Sequence, residues 1–278
     1  MRISIIGLGL IGGSMAIDLK KRGFARTIIG VDTNKLHLNT ALNMGIIDRA
    51  CTLDEAIDNT DLIIFAIPAK ETIRLLPKVL NKVDQQIITD ACSVKGTICE
   101  RVKHHHKRKN YVASHPMAGT ENSGPWAAQS GLFDGKAILY CDVEDSSEQA
   151  LSTIQKMYEY LNMRPLYMNA YNHDVHVAYV SHISHISSFA LALTVLDKEK
   201  NEKNIFNLAS GGFDSTVRLA KSSADMWSDI FENNSVNVIS VLDTFIDKLN
   251  DFKTAINDSN LNKMNELIQK ANHIKKIL

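Results

Sequence analysis

Short apolar runs alternate with helical stretches along the first part of the chain, and then the alternation stops. Arg2 to Ile6, Ile28 to Val31, Leu62 to Ile67, Ile87 to Thr89, Tyr111 to Ala113, Ala137 to Tyr140 and Pro165 to Tyr167 read as strands. Several are continuous, such as Leu62-Ile63-Ile64-Phe65-Ala66-Ile67, as befits parallel strands covered by helices on both faces. This predicts a doubly wound α/β domain over residues 1–168. After Asn169 the strand signal ends. Ile239, Leu242, Phe245 or Ile246, Leu249, Phe252 and Ile256 recur at steps of three and four, the period of one helix face. Residues 169–278 are expected to be all helical. Their last stretches, about Ser235 to Ile256 and Asn260 to Ile277, lack the strand alternation that an appended βαββαβ module needs. So much apolar surface on so few elements is expected to be partly covered by a second copy of the chain, in a homodimer.

Composition narrows the class of function. At 278 residues, 45% hydrophobic and 22% charged, the chain can bury a substantial core. Lys+Arg and Asp+Glu each number 31, so no net field draws it to nucleic acid or an anionic membrane, and a small-molecule substrate is expected. Cys51, Cys92, Cys99 and Cys141 form no CxxC pair and no zinc-type spacing, and read as free thiols of a reducing compartment. Strand-like sequence begins at Arg2, and no apolar run approaches the length of a membrane helix, so a cytoplasmic location is expected. The basic run Arg101 to Lys109, with His104, His105 and His106, reads as a solvated helix end or loop.

Gly7-Leu8-Gly9-Leu10-Ile11-Gly12 follows the strand-like Ile3 to Ile6 and opens a helical stretch, the context in which G-x-G-x-x-G binds a dinucleotide. The first glycine permits a tight turn, the second lets backbone approach a pyrophosphate, and the third allows close helix packing. The helix start, Leu10 and Ile11 included, offers N–H groups and a positive dipole end. Asp32 follows Gly12 by 20 residues, at the end of the second strand. A carboxylate there can accept from a ribose 2′-hydroxyl and would repel a 2′-phosphate, which favours NAD over NADP and a Rossmann-type domain.

Polar residues at the carboxyl ends of later strands are candidates for chemistry, because open α/β sheets bind ligands there. Ser93, in Asp90-Ala91-Cys92-Ser93-Val94-Lys95, and His115, in Ser114-His115-Pro116-Met117-Ala118-Gly119, each leave a strand. A hydroxyl beside an imidazole also suggests a hydrolase, but no G-x-S-x-G elbow surrounds the serine, and acid–base service to hydride transfer fits better. His173, His176, His182 and His185 raise the question of a metal. On one regular helix His173 and His182 fall on opposite sides, as do His176 and His185, so the four would not converge on an ion. Taken alone, Arg218 reads as a surface ion-pair residue.

Gly7 to Ser14 (GLGLIGGS), Asp90 to Lys95 (DACSVK), Ser114 to Gly119 (SHPMAG) with Thr120-Glu121, Ser181 to His185 (SHISH), and Gly211-Gly212-Phe213 through Arg218 to Met226-Trp227 together resemble the prephenate and arogenate dehydrogenase family, in order, from residue 1 to about residue 230. The resemblance implies that His115, Ser93 and His185 are catalytic. It assigns Arg218, Glu121, Thr120, Gly211 and Trp227 to substrate, and Gly7, Gly9, Leu10, Ile11, Gly12, Asp32 and Ser93 to cofactor. It also implies oxidative decarboxylation of prephenate to 4-hydroxyphenylpyruvate with hydride transfer to NAD, on the route to tyrosine. The chain departs from the family's usual pattern at Val217, where Thr is common, and at Ala224, where Pro is frequent. Arogenate dehydrogenation stays open, since arogenate differs from prephenate by one amino group. The related β-hydroxy acid enzymes depend on a helix lysine that nothing here marks. A non-catalytic NAD-binding regulator would not need Ser93, His115 and Arg218 together.

Overall fold

The computed structural model describes residues 1–200 and 208–277. Two compact units emerge, Met1–Asn234 and Ser235–Leu278. The first holds one eight-stranded sheet in the order β3-β2-β1-β4-β5-β6-β7-β8. Its strands are β1 (Arg2–Ile6), β2 (Thr27–Val31), β3 (Arg49–Ala50), β4 (Leu62–Phe65), β5 (Ile87–Asp90), β6 (Tyr111–Pro116), β7 (Ala137–Cys141) and β8 (Arg164–Met168). The alternating helices are α1 (Leu10–Lys21), α2 (Lys35–Asn43), α3 (Leu53–Asp58), α4 (Ala69–Lys82), α5 (Gly96–Val102) and α6 (Glu148–Tyr160). Strands β3 to β6 are parallel neighbours, as the continuous apolar runs predict. Both faces of β1 and β4 are covered: Ile3, Ile5, Leu62 and Ile64 pack on one side, Ile6, Ile63 and Phe65 on the other. Each such side chain contributes about 1.5–3 kcal/mol of burial.

β7 runs antiparallel to β6. The segment between them contains only a short 3₁₀ turn, Pro125–Ala127, and no crossover helix, which a parallel return would need. The two-residue β3 is too short to leave a period in the sequence.

After β8, α7 (Ala170–Val177) and α8 (Ile183–Glu199) are joined through a π turn over Ala178–His182 into one continuous helix, Ala170–Glu199. Its most apolar 18-residue window averages 1.3 in mean hydropathy, long and apolar enough to cross a membrane by length and composition. This corrects the expectation that no such run exists: the apolar residues are broken by His and Ser, and only the π turn's continuity makes them one helix. His173, Asp174, His182 and Ser188 on it are buried, but only 11% of the apolar window is buried within the chain. The first unit closes with α9 (Gly211–Val217) and α10 (Ala224–Asn233).

The second unit is the contacting helix pair α11 (Ser235–Asn257) and α12 (Leu261–Ala271), the latter running into a 3₁₀ turn, Asn272–Lys276. Asn260 caps α12 by accepting from Lys263 N–H at 3.0 Å. The apolar stripe read from the sequence is largely uncovered in the single chain: Ile239, Ile246, Leu249 and Ile256 are all exposed, while Val238, Val241 and Ala255 are buried.

Candidate active site

The turn from β1 into α1 is built for an anion. Gly7 has φ +96°, and a Cβ there would lie 2.3 Å from the Ala66 carbonyl oxygen; a Cβ on Gly12 would lie 2.0 Å from the Gly7 carbonyl oxygen. Neither position can carry a side chain without backbone movement. Gly9, by contrast, faces open space, and α1 starts without a side-chain cap or an acidic residue in its first turn. The N–H groups beginning at Leu10 and Ile11 are therefore left for a pyrophosphate, and the residues present fit a dinucleotide. Asp32 stands beside this turn, its Oδ2 accepting from Leu8 N–H at 2.9 Å and its Oδ1 from Asn34 N–H at 2.8 Å.

β5 delivers the Asp90–Lys95 loop that carries Ser93. Asp90 is buried and accepts from Lys95 Nζ, from Tyr111 Oη at 2.6 Å and from Cys92 N–H at 3.0 Å. Lys95 is also fully buried. Removing one member of such a pair strands the other's charge and costs about 3–5 kcal/mol, so the pair fixes the loop's path.

His115 lies near the carboxyl end of β6, whose six residues are all buried. The ring is held by His173: His115 Nδ1 meets His173 Nε2 at 2.8 Å, and His173 Nδ1 meets Asp174 Oδ1 at 2.8 Å. Ser93, which the resemblance makes catalytic alongside His115, makes no hydrogen bond among the described residues, and the partner of the imidazole is His173. Burial is the main cause holding the His115 pKa well below 6.5, with the nearby charges of His173, Lys95 and His182 acting the same way. His173 shifts down too, chiefly through burial, against the opposing pull of Asp174.

The histidine cluster does not follow the regular-helix geometry expected of it. The π turn inserts about one residue's rotation, roughly 100°, between His173 and His182, so both reach the buried side. His182 Nδ1 accepts from Asn234 Nδ2 at 3.2 Å and packs edge-on to Trp227. His185 stacks on Trp227 with ring centroids 3.5 Å apart and donates from Nδ1 to the Ser181 carbonyl at 3.0 Å. Burial lowers its pKa, and the charge of Arg218 lowers it further. The buried Trp227 Nε1–H, beside His185, has no hydrogen-bond partner among the described residues. His176 is exposed.

Arg218 opens a 3₁₀ turn after α9, and its Nη1 donates to Glu121 Oε2 at 2.9 Å. Glu121 comes from the loop after β6, so this ion pair joins that loop to the helical segment. The Glu121 carboxyl lies below its ordinary value, first through its own backbone N–H and then through Arg218. Thr120 Oγ1 accepts from Asn122 N–H at 3.2 Å in the same loop. Gly211 starts α9 with open space around it. Ser223 caps α10 and Ala224 takes its first position, where Pro is equally at home, which accounts for that departure from the family pattern. Thr216 bonds within α9, Oγ1 to the Gly212 carbonyl at 2.8 Å. Among the described residues the four cysteines are unpaired.

The buried histidines make stability acid-sensitive. Burial lowers the His182 pKa from 6.5 to about 4. Between those values the unfolded chain binds more protons than the folded one, so stability present above pH 6.5 is lost as pH falls towards about 4. His182 alone accounts for about 3 kcal/mol, and His115 and His173 act in the same direction. Denaturant midpoints should therefore fall steadily from pH 6.5 to 4, less steeply in His182→Gln. Equal slopes in the two proteins would contradict the assignment.

Family sequence models match over most of the chain: the prephenate dehydrogenase nucleotide-binding domain at residues 15–167 and the prephenate dehydrogenase dimerization domain at residues 169–270. Among similar proteins, a prephenate dehydrogenase of Bacillus subtilis is 28% identical over 91% of this chain and 70% of its own length. A cyclohexadienyl dehydrogenase of Zymomonas mobilis is 30% identical over 91% of this chain and 88% of its own. The prephenate dehydrogenase of Aquifex aeolicus, solved with hydroxyphenyl propionate and NAD+, aligns with a TM-score of 0.87 at 29% identity, covering 100% of this chain and 97% of that one. Synechocystis arogenate dehydrogenase aligns at 0.79 and 26% identity, covering 99% of both chains.

Proposed function

Because this chain belongs to the prephenate dehydrogenase family, we propose that it oxidises and decarboxylates prephenate to 4-hydroxyphenylpyruvate with NAD, in tyrosine biosynthesis. The observation that carries the reading is His115: a buried imidazole kept neutral by its surroundings, at the carboxyl end of the sheet that also carries the dinucleotide turn. When bound, NAD supplies the hydride acceptor. His115 takes the proton of the C4 hydroxyl as the C4–H electron pair leaves. The C1–carboxylate bond then breaks, its electrons make the ring aromatic, and His115 returns the proton to the ring oxygen.

Arg218 binds a substrate carboxylate, exchanging Glu121 for it, and Trp227 Nε1–H offers a further donor beside His185. Thr120, Glu121 and Gly211 line the substrate side, and Ser93 lies between cofactor and substrate on its pinned loop. In this reading residues 1–168 hold the cofactor, and residues 169–278 serve substrate and dimerisation.

Spectrophotometric NADH formation tests this reading directly, with prephenate and arogenate each offered with NAD and NADP. Turnover should be fastest with prephenate and NAD. Faster turnover of arogenate would reassign the substrate, and equal efficiency with NADP would remove the role given to Asp32. Asp32→Ala should narrow the cofactor preference, since it removes the carboxylate that repels a 2′-phosphate.

The same reading makes the protein a cytoplasmic homodimer. The exposed apolar stripe of α11, with Val180, Leu193 and Leu196 on the long helix, supplies surface for a second copy. Sedimentation should give a dimer; a monomer at micromolar concentration would count against it.

A further inference from the structure

We propose that His173 and Asp174 are positioning residues that fix the tautomer of His115, so that its Nε2 is the atom that accepts the substrate's hydroxyl proton. This rests on the reading of His115 as the base and says which of its nitrogens acts and why.

Proton positions follow from counting donors, starting at Asp174. Its Oδ1 accepts from Lys95 N–H at 2.7 Å and its Oδ2 from Gly96 N–H at 2.8 Å. Position 96 tolerates this approach because it is glycine: a Cβ there would lie 2.8 Å from Asp174 Oδ2. Backbone donors thus point at both of its oxygens, so the side chain serves as an acceptor. The 2.8 Å contact from His173 Nδ1 to Oδ1 must therefore carry the proton on His173. A neutral imidazole has one N–H, so His173 Nε2 is a lone pair. That lone pair lies 2.8 Å from His115 Nδ1, which must then be the donor. His115 has its one proton on Nδ1 and a lone pair on Nε2. The low pKa values of both rings agree with neutral forms.

The reverse arrangement would need a proton on Asp174, opposed by the two backbone N–H groups that already point at it. Asn234 steadies the same turn, donating from Nδ2 to the Asp174 carbonyl at 2.7 Å. When Nε2 takes the hydroxyl proton, the new imidazolium donates through Nδ1 to His173, with the Asp174 carboxylate behind it. The charge is thus stabilised where it forms. Asp174 also ties the relay to the Ser93 loop, because Lys95 and Gly96 end that loop.

The test reads the tautomer as well as the rate. In the free chain labelled with ¹⁵N-histidine, at neutral pH, His115 Nε2 should show a pyridine-type shift and Nδ1 a pyrrole-type shift. In Asp174→Asn the amide can donate to His173 Nδ1, which reverses the relay and moves the His115 proton to Nε2. Its kcat should fall by roughly 10²-fold or more, with KM and NAD affinity little changed. His173→Leu should lose kcat similarly. His173→Gln keeps an acceptor for His115 and a donor for Asp174, and should recover at least about tenfold over His173→Leu. A pyrrole-type Nε2 in the unaltered protein, or equal kcat in the Leu and Gln variants, would overturn the proposal. If His173→Leu does not fold, the shifts of the unaltered protein and of Asp174→Asn decide it. The relay's signature without turnover of prephenate or arogenate would sink the functional reading and leave the relay standing.

Discussion

His115→Asn should slow turnover severely while leaving binding intact. Asparagine can still donate to His173 but cannot take a proton from the substrate hydroxyl, so kcat should drop by roughly 10²- to 10⁴-fold. NAD and prephenate should bind nearly as before, which equilibrium titration can check independently of rate. The pH profile of the unaltered enzyme carries the companion expectation. Burial and its neighbours hold the His115 pKa well below 6.5, so the base stays neutral as pH falls through 6.5. The acid limb of kcat/KM, which reports the free enzyme, should lie below that value. An acid limb at or above pH 6.5, or near-normal turnover by His115→Asn, would remove His115 as the base and turn attention to His185.

Arg218→Ala should weaken substrate binding far more than chemistry. A charge-assisted contact to a carboxylate is worth on the order of 2 to 4 kcal/mol, which is roughly 30- to 10³-fold in KM. The side chain is about half exposed and already paired with Glu121, so the substrate replaces an existing partner and the effect should fall toward the lower end. Arg218→Lys keeps the charge but loses the two-pronged donor geometry, and should restore only part of the affinity. A fall in kcat with KM unchanged would show that Arg218 acts on the reaction and not on binding.

Much of this protein is written in local patterns. Continuous apolar runs are the signature of strands buried on both faces, as in β4, and seven of the eight strands are readable from short strand-like runs, β1 at its observed limits. Gly7 and Gly12 carry their own explanation, because the tight turn and the close packing each exclude a side chain locally, while Gly9 faces open space. Asp32 is legible for the same reason, lying at a fixed chain distance from that turn. The polar segments holding Ser93, His115, Glu121 and Arg218 are readable as motifs, since each is a short run at a strand or helix end.

What joins those segments is not local. His115 and His173 are 58 residues apart, and Arg218 and Glu121 are 97 apart, so no periodicity relates the members of either pair. The antiparallel entry of β7 depends on a loop that forms no helix, a failure no strand pattern announces. The π turn at Ala178–His182 changes which histidines face inward, and a regular helical wheel cannot anticipate it. In the sequence, His173 looks like one more helix histidine. It becomes the partner of His115 only because β6 and α7 pack together and exclude water, leaving each buried ring nitrogen to find its hydrogen bond within the protein.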